Sequence, residues 1–402
     1  MRLPASRIFL PFGLAAASIF VLGCGGGSSS TAESLQPGST PASNVQAITV
    51  NAGPSSALGA NFNYVDGAFT SVTVCVPGST TNCQTIDGIL VDTGSPGLRI
   101  LSSALTLSLP QQMNSGNPVA ECAVFEDGFT WGPVQTADVK IAGEQASSVP
   151  IQVIGSPNFS TIPAGCSSQG LPLDDLANLG TNGLLGVGQS IQDEQTYYAC
   201  PSSGCVVTTQ SPAQQVQNPV ASFATDNNGV IIELPAVTGA EGTVSGSLIF
   251  GIGTQSNNGL GGATVFGTDS VGDLSTTYKG TAYQSFLDSG SNGIFFLDTT
   301  TTGLPVCPET DLNFLYCPAS AQTFTVLNNA LAGTNGASGS VAFSVSKADA
   351  LLSNANNAAV NGLAGPGPGM FDFGLPFFFG RNVYTAIEGK STPGGTGPYS
   401  AY

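Results

Sequence analysis

The stretch ILVDTGSPGLRIL, residues Ile89–Leu101, places an aspartate between two apolar runs. A charge at the end of a buried strand costs free energy unless it is paired, hydrogen-bonded or used in function. An ordinary strand followed by a turn that begins with aspartate has the same pattern. This stretch alone therefore leaves both a structural and a functional interpretation of Asp92 open.

A second stretch, SFLDSGSNGIFFL at Ser285–Leu297, repeats the first one. From Asp92 and from Asp288 onward, both segments read Asp, Thr or Ser, Gly, Ser, and then return to apolar residues. One such tetrapeptide is a weak signal, but two with matching flanks indicate an internal duplication. We therefore expect one copy of the same aspartate turn in each half of the chain.

The composition narrows the class of protein. The 402 residues are enough for two lobes with cores of their own. The 53 glycines and 26 prolines separate short runs of Val, Ile, Thr and Phe, and 41% of the residues are hydrophobic, which predicts an all-β protein. The net charge of −17 makes nucleic acid an unexpected partner. The chain has no histidine, which excludes Ser-His-Asp and Cys-His catalysis.

Residues 1–23 have the features of a signal peptide. Arg2 and Arg7 supply a positive start, and the apolar run Ile8–Leu22 follows them. Such a segment is removed from the mature chain, so it takes no part in the predicted fold.

The sequence VLGC at Val21–Cys24 is similar to a bacterial lipoprotein box and predicts lipid attachment at Cys24. An ordinary secretory signal with an incidental cysteine is the alternative. Residues 24–45, rich in Gly, Ser and Pro, are expected to form a flexible tether. Gly25 after the cysteine is similar to outer-membrane sorting signals. We therefore expect a lipid-anchored protein of the bacterial cell envelope, at the outer membrane.

Eight cysteines remain when Cys24 is set aside, an even number in a chain expected to be exported, so disulfides are predicted. The sequence does not determine their connectivity. Without histidine or a Cys-x-x-Cys pair, no metal site is expected. Locality along the chain favours the pairs Cys75 with Cys83, Cys200 with Cys205, Cys307 with Cys317, and Cys122 with Cys166.

Further landmarks lie between and after the two turns. Residues 69–92 and Phe125–Gly143 have the alternation and turn residues of β-hairpins. Apolar runs that end in glycine occur at Asn182–Gly188, Gly246–Gly253 and Phe377–Gly380. The first and last of these follow Asp92 and Asp288 at nearly the same distance. These landmarks predict an N-terminal lobe at 46–253 and a C-terminal lobe at 254–402.

Two aspartates on equivalent turns can meet across a symmetry axis. Two carboxylates this close to each other share a proton and titrate as a pair. One then acts as general base on a water molecule while the other, protonated, polarises a carbonyl, which hydrolyses an amide without a cofactor. We expect Asp92 and Asp288 to be catalytic, and the hydroxyls of Thr93 and Ser289 to brace the two turns. Gly94 and Gly290 should place N–H donors close to the carboxylates. Ser95 and Ser291 should place hydroxyls at the outer carboxylate oxygens.

These motifs resemble those of pepsin-like aspartic peptidases. The resemblance implies two pseudo-symmetric β lobes with a cleft between them, and a peptide or protein as substrate. It also implies that GLLGVG and FFFG thread beside the two turns, that GSLIFGIG closes the first lobe, and that Phe377–Ile387 forms the last strands. The lipoprotein box and the ending FDFGLPFFFGRNVYTAIEG are similar to an uncharacterised family of bacterial lipoproteins.

The sequence departs from that family at the flap, the hairpin that covers the site. The family has a tyrosine there, whereas Phe125–Gly143 offers Phe125, Phe129 and Trp131, which we expect to contact substrate. Arg99 stands where a tryptophan usually follows the first turn. A cation there lowers the pKa of the aspartates if it points inward.

The leading hypothesis is a monomeric, lipid-anchored aspartic endopeptidase of the cell envelope. The alternative is a lipoprotein that binds peptide or protein in the same cleft without hydrolysing it. The missing flap tyrosine favours this alternative, as does the absence of Lys and Arg between Cys24 and Asp92, where the family often has a basic propeptide. A third hypothesis is a scaffold module that uses a Gly-, Ser- and Asn-rich face.

Overall fold

Strands dominate the computed structural model, which describes residues 43–54 and 64–402. The predicted signal peptide 1–23, the lipidation site Cys24 and the tether as far as residue 42 lie outside these residues. The helices of the described part are single turns, so the all-β prediction is confirmed. None of the helices in the described ranges is long and apolar enough to cross a membrane.

The strands of the first half include the first turn and the predicted flap. Two one-turn helices, α1 (Ala164–Ser167) and α2 (Leu176–Leu179), lie between them. In chain order the strands are β1 Val45–Val50, β2 Ala68–Cys75, β3 Cys83–Asp92, β4 Pro96–Leu101, β5 Met113–Asn114, β6 Asn117–Phe125, β7 Gly128–Ile141, β8 Glu144–Ile154, β9 Leu171–Pro172, β10 Gly183–Val187, β11 Thr196–Ala199, β12 Val206–Thr208, β13 Gly229–Leu234, β14 Ala240–Glu241 and β15 Val244–Phe250.

The strands of the second half include the second turn and the C-terminal strands. The helices α3 (Thr299–Thr302) and α4 (Ala348–Leu351) are again single turns. The strands are β16 Val265–Gly267, β17 Leu274–Tyr278, β18 Thr281–Leu287, β19 Ile294–Leu297, β20 Gln322–Asn329, β21 Ser338–Val345, β22 Ala359–Val360, β23 Ala364–Gly365, β24 Gly367–Phe373, β25 Arg381–Ala386, β26 Ser391–Thr392, β27 Gly395–Thr396 and β28 Tyr399–Ala401.

A central sheet joins the two halves. Its strands run in the order β2, β1, β15, β13, β25, β28 and β16. In its middle, Ile231 of β13 lies opposite Ile249 of β15 on one side and Tyr384 of β25 on the other. The predicted lobe boundary after Gly253 falls in the loop between β15 and β16 and stays a prediction.

The burial pattern of each strand follows its place in the fold. Along β20 and β21, buried and exposed residues alternate, which is the pattern of a hairpin with one face in solvent. By contrast, Ile89, Leu90 and Val91 at the end of β3 are all buried, because both faces of β3 are covered. The strand that leads to Asp92 is therefore held on every side.

In the first half, β10 lies between β3 and β4, parallel to β3 and antiparallel to β4. Gly186 is opposite Asp92 on one side and Gly97 on the other. A Cβ at Gly186 would lie 2.5 Å from the carbonyl carbon of Pro96, so only glycine allows this approach. The segment GLLGVG thus threads beside the first turn, as expected.

In the second half, β24 takes the equivalent place, parallel to β18 and antiparallel to β19. The N–H of Asp288 donates to the carbonyl of Phe373 over 3.1 Å. A Cβ at Gly374 would overlap the carbonyl oxygen of Gly293. The threaded segment is therefore 370–374.

The expectation that Phe377–Gly380 threads beside the second turn is wrong. Residues 375–377 form a 3-10 turn directly after β24, and Phe377 and Phe378 are buried in the hydrophobic core. The chain then enters β25 of the central sheet. The apolar run FFFG therefore packs the core beside the threaded segment instead of forming it.

Four disulfides lie in the described residues, and they join the pairs that locality favoured. The Cys75–Cys83 bridge closes the hairpin of β2 and β3, in which the two cysteines are directly opposite. The other three bridges are Cys122–Cys166, Cys200–Cys205 and Cys307–Cys317.

Replacing Gly374 by alanine should destabilise the protein by about 1–3 kcal/mol, because the added methyl group collides with backbone that cannot move independently. The backbone at Gly374 has φ −71°, which alanine adopts freely, so the effect is steric alone. Urea denaturation measures the change in free energy of unfolding. Gly262→Ala is the matched control, since a Cβ there meets open space. Equal stability of the Gly374 and Gly262 variants would contradict the threading.

Candidate active site

The two aspartate turns meet at the floor of a cleft. β3 ends at Asp92, and β18 ends one residue before Asp288. A Cβ on Gly290 would lie 2.8 Å from Asp92 Oδ1, and one on Gly94 would overlap the Asp288 carboxylate. Each glycine therefore faces the carboxylate of the opposite turn, and the two carboxyl groups lie close enough to influence each other's protonation.

Four hydrogen bonds cross-brace the turns. The N–H of Thr93 donates to Ser289 Oγ over 3.1 Å, and the N–H of Ser289 donates to Thr93 Oγ1 over 2.9 Å. The two hydroxyls then donate onward, from Thr93 to the Leu287 carbonyl over 3.1 Å and from Ser289 to the Val91 carbonyl over 2.8 Å. The residues that make these four hydrogen bonds are buried, and a local two-fold axis relates the bonds of one turn to those of the other.

The same symmetry governs the inner carboxylate oxygens. The N–H of Gly94 donates to Asp92 Oδ1 over 2.7 Å, and the N–H of Gly290 donates to Asp288 Oδ1 over 2.8 Å. Hydrogen bonds of this kind stabilise a carboxylate in its charged form. Both carboxyl groups are therefore held in position by their own turns.

The outer carboxylate oxygens differ between the halves. Ser95 Oγ donates to Asp92 Oδ2 over 2.5 Å. Ser291 Oγ lies 3.2 Å from Asp288 Oδ2, and it is closer, at 2.6 Å, to Asp372 Oδ2. Asp372 is not among the site residues predicted from the sequence. The sequence feature that could have indicated it is the position of this aspartate inside the apolar run Met370–Phe373.

Burial is the main influence on the proton affinity of Asp92. Burial and, to a smaller extent, the charge of Asp288 together raise the pKa of Asp92 to about 7, against the hydrogen bonds from Ser95 and Gly94. A carboxyl group with this pKa holds a proton in weakly acidic solution, next to a second carboxyl group. The arrangement can act as general acid and general base at once.

The cleft above the pair is a cavity of about 630 Å³. Acidic residues outnumber cationic ones in its wall, which also contains apolar side chains. The side chains that line the cavity include Leu90, Arg99, Val124, Phe125, Glu126, Asp127, Leu184, Gln189, Asp193, Glu194, Phe286, Asp372 and Glu388.

The flap is the hairpin of β6 and the first part of β7, with its turn at Glu126 and Asp127. Phe125, directly before the turn, lines the cavity beside Leu90 and Leu184. The predicted range 125–143 was too late in the chain, because β7 continues past the flap and pairs with β2 and β8.

The prediction that Phe129 and Trp131 contact substrate is wrong. They are only 1% and 2% exposed and belong to a hydrophobic cluster outside the cleft wall. Trp131 Nε1 donates to the carbonyl of Phe159 over 2.7 Å, and its ring packs edge-on against Tyr198. The Cys122–Cys166 disulfide packs in the same cluster, so both rings support the flap from behind.

Arg99 does not act on the dyad. Its guanidinium is buried and forms ion pairs with Glu121 at 2.8 Å and Asp193 at 2.6 Å. Burial opposes its charge, but these two carboxylates raise the pKa of Arg99 overall. The guanidinium also lies 5.5 Å from the ring centre of Phe125. Arg99 therefore anchors the base of the flap.

The raised pKa of Asp92 predicts a pH-dependent stability. Unfolded aspartate titrates near 3.9, so between about pH 4 and 7 the folded chain keeps a proton that the unfolded chain releases. This contribution to the free energy of unfolding is fully present below pH 4 and is lost as the pH rises to 7. The loss is at most about 4 kcal/mol. Asp92→Asn should remove this part of the decline.

Urea denaturation at pH 4, 5.5 and 7 measures the effect. The exposed Asp311→Asn is the matched control and should follow the unsubstituted protein. Parallel stability curves for Asp92→Asn and the unsubstituted protein would show that Asp92 has no raised pKa.

No curated protein matches the chain. Among solved structures, the chain is similar to the aspartic proteinase from Irpex lacteus, with 15% sequence identity, a TM-score of 0.49, and coverage of 89% of this chain and 96% of that one. The family described as "Protein of unknown function (DUF3443)" matches residues 40–402, and the chain belongs to this family.

Proposed function

We propose that this protein is an aspartic endopeptidase with Asp92 and Asp288 as its catalytic pair. The observation that carries the proposal is the cross-braced pair itself. Two carboxyl groups face each other, each with an N–H donor and a serine hydroxyl, and burial raises the pKa of Asp92 to about 7. In turns with only a structural role, two such groups side by side would be unfavourable, since their proximity disfavours ionisation.

Hydrolysis would proceed without a covalent intermediate. A water molecule between the carboxyl groups loses a proton to the Asp288 carboxylate, and its oxygen attacks the carbonyl carbon of the peptide. Asp92 gives its proton to the carbonyl oxygen, which forms a gem-diol. The diol then collapses, the carbon–nitrogen bond breaks, and the leaving nitrogen takes the proton from Asp288 while the diol returns one to Asp92.

The cleft suits this chemistry on the flap side. Leu90, Leu184 and Phe125 form an apolar wall beside Asp92. Such a wall excludes water and accepts an apolar side chain of a peptide. The flap base is held by the ion pairs of Arg99, which supports Phe125 in this position.

A peptide-binding protein without hydrolytic activity is the second candidate. Phe125 favours it, because its ring has no hydroxyl with which to hydrogen-bond near the pair. The two candidates share the cleft and differ only in whether the bound peptide is cut.

We also propose that the protein is lipid-anchored at Cys24 in the cell envelope, at the outer membrane, and acts as a monomer. The support for the anchor and its location is the sequence of residues 1–45. Metabolic labelling with a fatty acid would test the anchor, using Cys24→Ala as the unlabelled control.

Peptide cleavage tests the proposed function. The full-length protein, exported so that disulfides form, is incubated with a mixed peptide library from pH 3 to 7, and products are read by mass spectrometry. Asp92→Asn and Asp288→Asn should each lower cleavage by about 10²–10⁴-fold, because each removes a proton-transfer group. The exposed Asp311→Asn is the control for loss of one negative charge.

Three outcomes separate the candidates. Cleavage that disappears in both dyad variants supports the peptidase. Cleavage that persists in either variant would refute the assignment of the pair. Peptide retained by folded protein without products at any pH would favour the binding protein instead.

A further inference from the structure

Asp372 is a third carboxyl group at the floor of the cleft. It lies on β24, is 2% exposed, and lines the cavity. Its Oδ2 is 2.6 Å from Ser291 Oγ, and the same hydroxyl is 3.2 Å from Asp288 Oδ2. A single hydroxyl therefore links Asp372 to the catalytic pair.

The local symmetry shows that Asp372 is a departure from the other half. On β10, Leu184 is opposite Leu90, two residues before Asp92. On β24, Asp372 is opposite Phe286, two residues before Asp288. The position that holds an apolar side chain beside the first turn thus holds a carboxyl group beside the second turn.

The hydrogen-bond count at Ser291 requires an additional proton. A serine hydroxyl has one hydrogen to donate, so it can satisfy one of two charged carboxylate oxygens. Both contacts are favourable only if one carboxyl group is an acid that donates to Ser291 Oγ. Asp372 is buried, whereas Asp288 is partly exposed, and burial disfavours the charged form. The proton therefore belongs on Asp372.

The surroundings of Asp372 are consistent with a neutral group. The neighbouring strands β18 and β19 carry one titratable side chain, Tyr283, whose ring packs against Phe371. The cation among the described residues of the cavity wall is Arg99, which Glu121 and Asp193 neutralise. The charged or titratable residues that share the wall with Asp372 are Asp92, Arg99, Glu126, Asp127, Asp193, Glu194, Asp288 and Glu388.

We propose that Asp372 is a positioning residue of the active site, whose protonated carboxyl group donates a hydrogen bond to Ser291 Oγ and thereby turns the Ser291 hydroxyl toward Asp288. This inference rests on the proposed peptidase function for its catalytic consequence. Ser291 then stabilises the Asp288 carboxylate that receives the proton of water, as Ser95 stabilises Asp92. When Asp372 loses its proton, the hydroxyl turns back to Asp372 and Asp288 loses this hydrogen bond.

Carbon-13 NMR of the full-length protein, labelled at the aspartate carboxyl carbon, tests the protonation directly. The signal of Asp372 is identified by its absence in Asp372→Asn. We expect the chemical shift of a carboxylic acid for Asp372 at pH 5. The shift of a carboxylate from pH 4 upward would overturn the proposal, whether or not the protein cleaves peptides.

Two substitutions of similar size distinguish hydrogen-bond donation by residue 372 from the effects of its charge and its packing. Asp372→Asn keeps an N–H donor for Ser291, whereas Asp372→Leu copies the apolar residue of the other half and keeps none. At pH 5 we expect kcat/KM of the Asn variant within about threefold of the unsubstituted protein, and a loss of about tenfold in the Leu variant, mostly in kcat. The activity of the Asn variant should also extend to higher pH, by roughly one unit, since no carboxylate can form there.

Equal activity of the Asn and Leu variants with an unchanged pH profile would overturn the positioning role. Asp311→Asn again controls for the loss of one charge, and the thermal midpoint shows whether each variant folds. If the unsubstituted protein cleaves no peptide, the proposed function fails while the NMR result still decides the state of Asp372. If it cleaves peptides and Asp372 is ionised at pH 5, only the present inference fails.

Discussion

The hydrogen bonds between Thr93 and Ser289 hold two loops from distant parts of the chain against each other at the centre of the protein. Each residue uses its N–H and its hydroxyl across the symmetry axis. Because both are buried, loss of either partner would leave polar groups unsatisfied, at a cost of about 1–3 kcal/mol for each group. The aspartates that precede Thr93 and Ser289 therefore have no freedom to separate, and the carboxyl groups stay paired in spite of their mutual repulsion.

The threaded strands β10 and β24 lie beside the paired turns, one in each half of the protein. Gly186 and Gly374 let the backbone of each strand pass close to a turn. Side chains on these strands then reach the cleft beside the two aspartates, and their difference breaks the symmetry: Leu184 is apolar, and Asp372 is a carboxyl group. Two nearly equivalent turns thus acquire different surroundings, as the proposed roles of the two aspartates as acid and base require.

The aspartate turns and their support were predictable because the chain repeats them. Asp, hydroxyl residue, Gly and Ser recur in the same order, and each makes the same contact in both halves, apart from Ser291. The second threaded segment was harder to place, because two apolar runs ending in glycine follow each other closely, at Phe371–Gly374 and Phe377–Gly380. Asp372 interrupts the apolar pattern of the run that threads, so the uninterrupted run was the more obvious candidate.

Side-chain direction and long-range partners were the features that the sequence left undetermined. Phe129 and Trp131 are on the predicted flap, but they pack with the Cys122–Cys166 disulfide, a contact that depends on tertiary structure. The role of Arg99 depends on Glu121, 22 residues away, and on Asp193, 94 residues away. No local pattern links these three residues, so the sequence alone allowed either orientation of the arginine.

Titration of Asp92 by carbon-13 NMR, in the unsubstituted protein and in Asp288→Asn, tests most directly whether the two aspartates form one unit. We expect a pKa for Asp92 of about 7 in the unsubstituted protein and a lower pKa in the variant, because the charge of Asp288 no longer opposes ionisation. The same Asp92 titration in both proteins would contradict the coupling, and with it the proposed catalytic pair.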